Sequence, residues 1–198
     1  VLFRSVGADR AWEMPGTALF YAPFVWFAGA EAAIAYIRIA QAILLCIQVA
    51  IASSLAGLLF PLYRNAGMIA GLVIALYPFL IFYQGLLLSE TLFTTLMLAG
   101  VFTLYRWRER GMVLDAGFVF AVALFVAATM TKATLTFLTP VLFGVTAFAA
   151  GLSWHRGAKI FAASTALFCL FMSPWWLQNA IVLQAFVPFT TSSSHNLY

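Results

Sequence analysis

Six apolar runs, each close to the length of a membrane-crossing helix, take up most of this chain: residues 32–60, 66–83, 86–105, 112–131, 133–151 and 158–177. A hydrocarbon layer of about 30 Å is crossed by ~20 apolar residues in helix, because the backbone must satisfy its own hydrogen bonds where water is absent. The runs are continuous rather than alternating, which argues against a β-barrel. Composition agrees. Of the 198 residues 65% are hydrophobic and 8% charged, too few charges to cover a soluble domain. Disorder requires low hydropathy, and here the mean hydropathy is +1.02. Cys46 and Cys169 both lie inside apolar runs, so they build no disulfide framework. The expectation is an all-α, polytopic transmembrane bundle of about six spans, a single domain over residues 1–198. A shorter run at 16–29, interrupted by Pro23, reads as a re-entrant or interfacial segment rather than a crossing.

The charges give this bundle two sides. Arg64, the trio Arg106, Arg108 and Arg110, and Arg156 with Lys159 fall in three short loops. Basic loops stay in the cytoplasm, which accounts for the net charge of +4 without nucleic acid as a partner. The N-terminus, the turn at Ser89 and Glu90, the turn at Lys132 and the tail from Gln178 then lie outside. That side collects Glu13, Glu90, Lys132, Gln178, Asn179, His195 and Asn196, with Trp12, Trp175 and Trp176 at the same level. Glu90 stands out. Its neighbours are apolar on both sides, and a carboxylate in such surroundings faces a polar cavity or a partner.

Four local patterns occur in order. The first is Trp12-Glu-Met-Pro-Gly-Thr-Ala-Leu-Phe-Tyr-Ala-Pro23. The second is Ala75-Leu-Tyr-Pro-Phe79, followed by Leu88-Ser-Glu-Thr-Leu-Phe93. The third is Ala128-Thr-Met-Thr-Lys-Ala-Thr134. The fourth is Ser173-Pro-Trp-Trp-Leu-Gln-Asn179, then Phe186-Val-Pro-Phe-Thr-Thr-Ser-Ser-Ser-His-Asn-Leu-Tyr198. Together they resemble the dolichyl-phosphate-mannose–protein mannosyltransferase-like family, glycosyltransferase family 39 and its relatives, of the GT-C fold. The resemblance covers nearly the whole chain, and the fourth pattern is its most specific part.

The resemblance implies a glycosyltransferase of the membrane, placed by its short loops in a bacterial plasma membrane. A sugar passes from a polyprenyl-phosphate donor to an acceptor hydroxyl of a protein, lipid or glycan on the extracytoplasmic face. The acceptor hydroxyl needs a carboxylate as general base. The departing phosphate needs positive charge or a divalent metal ion. Glu90 matches an acidic position lining the cavity. Glu13 matches an acidic residue that in some relatives holds a metal or the donor, although a solvated loop carboxylate is an equal reading. Lys132 matches a basic position facing the donor phosphate, against a snorkelling Lys at a helix end. Gln178, beside Asn179, stands where relatives carry Arg, which removes a fixed cation from the donor-phosphate site. His195 stands where relatives carry Gly, and is a metal ligand or a surface residue. Asp9 lies too near Pro15 to be the family's main catalytic Asp. The chain reads as a piece of a longer protein, with that Asp upstream of Val1.

No Walker A pattern, GxGxxG, CxxC or His-x-x-x-His pair is present. Two rivals share the apolar runs and the carboxylate: a transporter or flippase of a lipid-linked sugar, and a non-catalytic membrane subunit. A transporter of repeat architecture would show an internal repeat and polar residues in mid-span. Here no repeat is seen, and the polar residues cluster at span ends.

Overall fold

The computed structural model describes residues 14–133, 137–184 and 188–189, and all the regular structure in them is helical. The helices are α1 (Pro15–Leu59), α2 (Ala66–Leu76), α3 (Pro78–Gly85), α4 (Glu90–Glu109), α5 (Ala116–Thr131), α6 (Leu138–Ala149) and α7 (Trp154–Leu183). Two of them, α1 and α7, are long and apolar enough to cross a membrane. The most apolar stretch of α1 is only 6% buried, whereas the core helix of a soluble protein is wrapped by its neighbours. Ile39, Ile43 and Ile47 of α1 and Ile69, Leu72 and Val73 of α2 are all exposed, a continuous apolar surface of the kind that lipid covers.

Helix α1 is two helices joined at Gly29, whose backbone (φ 75, ψ 163) lies in a region open only to glycine. The break is a reversal. In a straight helix residues 21 and 41 would stand about 30 Å apart, yet Gln41 Nε2 donates to Tyr21 Oη at 3.1 Å. The stretch that the sequence separates at 16–29 is therefore a helix folded back along the one that follows it. Gly29→Ala is expected to cost about 1–3 kcal/mol by forcing this conformation on a side chain. Gly57→Ala, in the same element with open space around it, should be neutral or slightly stabilising, since Ala is the better helix former. Denaturant titration in mixed micelles reads both.

After the reversal α1 runs alongside α4 in the same direction. Gln41 meets the carbonyl of Leu88, Gln48 meets Thr91 and Thr95, and Leu58 meets Tyr105. On its other side α1 packs on α2 through Gly67 and Gly71. A Cβ on Gly67 would sit 2.8 Å from the carbonyl oxygen of Ser53. A pair of glycines four apart is how apolar helices approach closely where lipid removes any hydrophobic drive to associate. Helix α5 is the best-buried element, with Ala121, Val122, Phe125 and Ala128 inaccessible or nearly so. It packs chiefly on α4, and also on α7, α1 and α6.

The helices differ from the apolar runs in length. The run at 66–83 divides at Tyr77, whose extended backbone (φ −71, ψ 111) is what a following proline requires; Pro78 then starts α3. The run at 133–151 supplies only the 12 residues of α6, about 18 Å of helix. Pro174 lies inside α7 and cannot donate to the carbonyl of Leu170. The hydroxyl of Ser173 donates there instead, at 2.7 Å, a repair typical of proline in apolar helices.

Candidate functional site

The start of α4, the end of α5 and the start of α1 meet at one end of the bundle. A Cβ on Gly16 would lie 2.7 Å from the carbonyl oxygen of Met130, so the first turn of α1 rests on the last turn of α5. That turn is buried. The hydroxyls of Thr129 and Thr131 donate to the carbonyls of Phe125 and Ala127 four residues back, which satisfies them without a further partner. The chain then leaves the helix at Lys132, whose backbone is extended.

From there Lys132 Nζ donates to Glu90 Oε1 at 3.3 Å. It is the one ion pair among the described residues, and it joins groups 42 positions apart. Glu90 is in the first turn of α4, where the free N–H groups of the helix favour a carboxylate. Its side chain is 34% exposed and that of Lys132 44%, so the pair lies at a surface that a ligand can reach. Glu90 Oε2 points inward, buried and without a hydrogen-bond partner, as is the hydroxyl of Thr17. A buried, unpartnered carboxylate oxygen is costly unless something else fills its place.

A buried polar seam fixes the turn before Glu90. Tyr21 Oη donates to the carbonyl of Leu88 at 3.2 Å, and Gln41 Nε2 approaches the same oxygen at 3.3 Å. Deeper along α1, Gln48 Nε2 donates to the carbonyl of Thr91 and to Thr95 Oγ1, at 3.0 and 2.8 Å. Tyr21, Gln41 and Gln48 are residues that the sequence reading overlooked. Their signal was present: two glutamines seven apart lie on one helical face, and a Gln in an apolar helix has a hydrogen bond to make.

The tryptophans of the fourth pattern explain its spacing. Trp175 Nε1 donates to the carbonyl of Phe189 at 3.1 Å, and Trp176 Nε1 to that of Pro188 at 2.8 Å. Adjacent indoles thus hold adjacent carbonyls of the Phe-Val-Pro-Phe stretch. Phe189 also packs edge-on against Phe137, which links Trp175 of α7 to the N-cap of α6. Of the donor-phosphate candidates there, Asn179 is buried and Gln178 exposed.

Glu13 and His195 lie outside the described residues. Among those that are described, no three His, Cys, Asp or Glu side chains gather to hold a metal, and the Glu90 carboxylate already faces an ammonium group. The opposite end of the bundle carries the arginines of α4, next to the end of α1. The two polar ends are thus chemically distinct: an acid–base pair at one, basic residues at the other. No protein-family model, curated protein or solved structure matches the chain.

Proposed function

We propose that this chain belongs to a membrane glycosyltransferase of the GT-C type, with Glu90 and Lys132 at its donor site. The observation that carries the reading is the pairing of these two side chains with one carboxylate oxygen left buried and unmatched. In this reading the phosphate of a polyprenyl-phosphate sugar draws the Lys132 ammonium to itself. Lys132 then stabilises the negative charge that grows on the departing phosphate. Glu90, relieved of its partner, accepts a hydrogen bond and then the proton from the acceptor hydroxyl. The Tyr21–Leu88–Gln41 contacts hold the turn so that the carboxylate stays aimed. Gln178 and Asn179 are the further donor-phosphate candidates of this reading, and the roles of Glu13 and His195 in it rest on the resemblance alone. A bilayer supplies the apolar medium that the polyprenyl tail needs. By the positive-inside rule the Glu90 end faces away from the cytoplasm, in a bacterial plasma membrane.

Membranes carrying the protein, incubated with radiolabelled polyprenyl-phosphate sugar and a pool of acceptors, are expected to transfer label to a product lacking the lipid. Movement of intact donor across vesicles without cleavage would instead identify a flippase. Neither event would leave a structural subunit.

A further inference from the structure

At the basic end of the bundle a cavity of about 560 Å³ opens between α1, α4 and the start of α5. Arg106 of α4 and Arg110, its C-cap residue, line it about one helical turn apart, and neither has an ion-pair partner among the described residues. Arg108, between them in sequence, does not line it. The hydroxyls of Ser54 and Thr103 are spent on the carbonyls of Ala50 and Ala99 of their own helices. Asp115 also borders the cavity: its Oδ1 accepts from the backbone N–H of Phe118 at 2.9 Å and caps α5, and its charge, on the Arg110 side near Gly117, offsets one of the two guanidinium charges and leaves the cavity net positive. The remaining wall is apolar, formed by Leu58, Phe102 and the buried Trp107. Two unpaired guanidinium groups beside an apolar wall suit an amphiphile with an anionic head.

The depth of the cavity chooses the amphiphile. Arg106 in α4 and Arg110 at its C-cap lie 16 and 20 positions beyond Glu90, roughly 24 and 30 Å along the helix axis. That is the thickness of a hydrocarbon layer. With Glu90 near one membrane face, the guanidinium groups stand at the headgroup level of the other. There the lipids available to a basic pocket are anionic phospholipids, which Lys and Arg near the surface attract. We infer that this cavity binds the phosphate headgroup of an anionic phospholipid of the cytoplasmic leaflet, with Arg106 and Arg110 on the phosphate and Leu58, Phe102 and Trp107 along the glycerol and upper acyl chain.

The inference rests on the membrane placement and not on sugar transfer. Its readout therefore stands whether or not the protein cleaves a donor. Native mass spectrometry of the detergent-solubilised chain, offered equal phosphatidylglycerol and phosphatidylcholine, is the test. The anionic lipid should be retained about tenfold over the zwitterionic one. Arg106→Gln with Arg110→Gln should bring the ratio near one, and Arg108→Gln should leave it. Equal retention by the unaltered protein, which needs no variant to fold, overturns the inference. So does a ratio that survives the double substitution. Displacement of the lipid by millimolar inorganic phosphate alone would make this a site for free anions, and would equally overturn it.

Discussion

Glu90→Gln is expected to lower sugar transfer by about 10²–10⁴-fold, the contribution of a positioned general base, while leaving the protein as stable as before. The two halves of that result come from the same geometry. Gln keeps the size of Glu and its hydrogen-bonding carbonyl but cannot take a proton. The ion pair it breaks is partly exposed on both partners, and exposed pairs contribute only about 0–1 kcal/mol. Unfolding in denaturing detergent should therefore shift little. Lys132→Gln should also reduce transfer, by weakening the hold on the phosphate, and Lys132→Arg should restore part of it because the charge returns. If Glu90 acts on the acceptor only after the donor has engaged Lys132, the double variant will lose less than the sum of the single losses, since the two serve one step. Full activity in Glu90→Gln would remove the site from the α4–α5 end altogether.

Much of this site was legible because charges in an apolar chain are informative. Glu90 and Lys132 are distant in sequence, yet loop charge alone put both at one end of the bundle, and they are 3.3 Å apart. The helical character of the chain followed in the same way from continuous apolar runs. The number and length of the helices did not. Hydropathy measures transfer from water and is blind to φ and ψ, so the run at 66–83 passed over the division that Pro78 imposes. The boundary at Gly29 was legible as the end of the 16–29 run, but the fold-back there shows only in the contact of Tyr21 with Gln41. Gln41 and Gln48 bind α4, which the apolar pattern around them does not show. Nor does it show that Gly67 and Gly71 seat α2 on α1. In each case what was missed is a relation between helices, which composition cannot express. The expected roles of Glu13 and His195 fall outside the described residues and rest on the resemblance.

Phe143→Ala is expected to give the largest loss of stability, and its size reports which solvent surrounds the bundle. Phe143 is inaccessible and sits at the centre of four rings that tie α4, α5 and α6 together. Its ring lies 5.4 Å from Trp107, 5.3 Å from Phe118 and 6.1 Å from Phe125, the last two edge-on. In a water-soluble protein such a truncation costs about 3–5 kcal/mol, part transfer of the side chain out of water and part the cavity left behind. In a bilayer the separated helices remain in lipid, which is as apolar as the side chain, so the transfer part largely disappears. What remains is the cavity. Removing a benzyl-sized volume of roughly 100 Å³ at ~24 cal/mol per Å³ gives about 2.4 kcal/mol. Phe143→Leu fills most of that space and should cost less, losing chiefly ring contacts of about 0.5–1.5 kcal/mol. Reversible unfolding in lipid-rich mixed micelles measures both variants. A loss near 2 kcal/mol for the Ala variant, with donor cleavage preserved in the folded fraction, fits helices packed in lipid with their chemistry some 25 Å away along α4. A loss of 4 kcal/mol or more would mean that water is the solvent of the unfolded helices, and the membrane reading would fall with it.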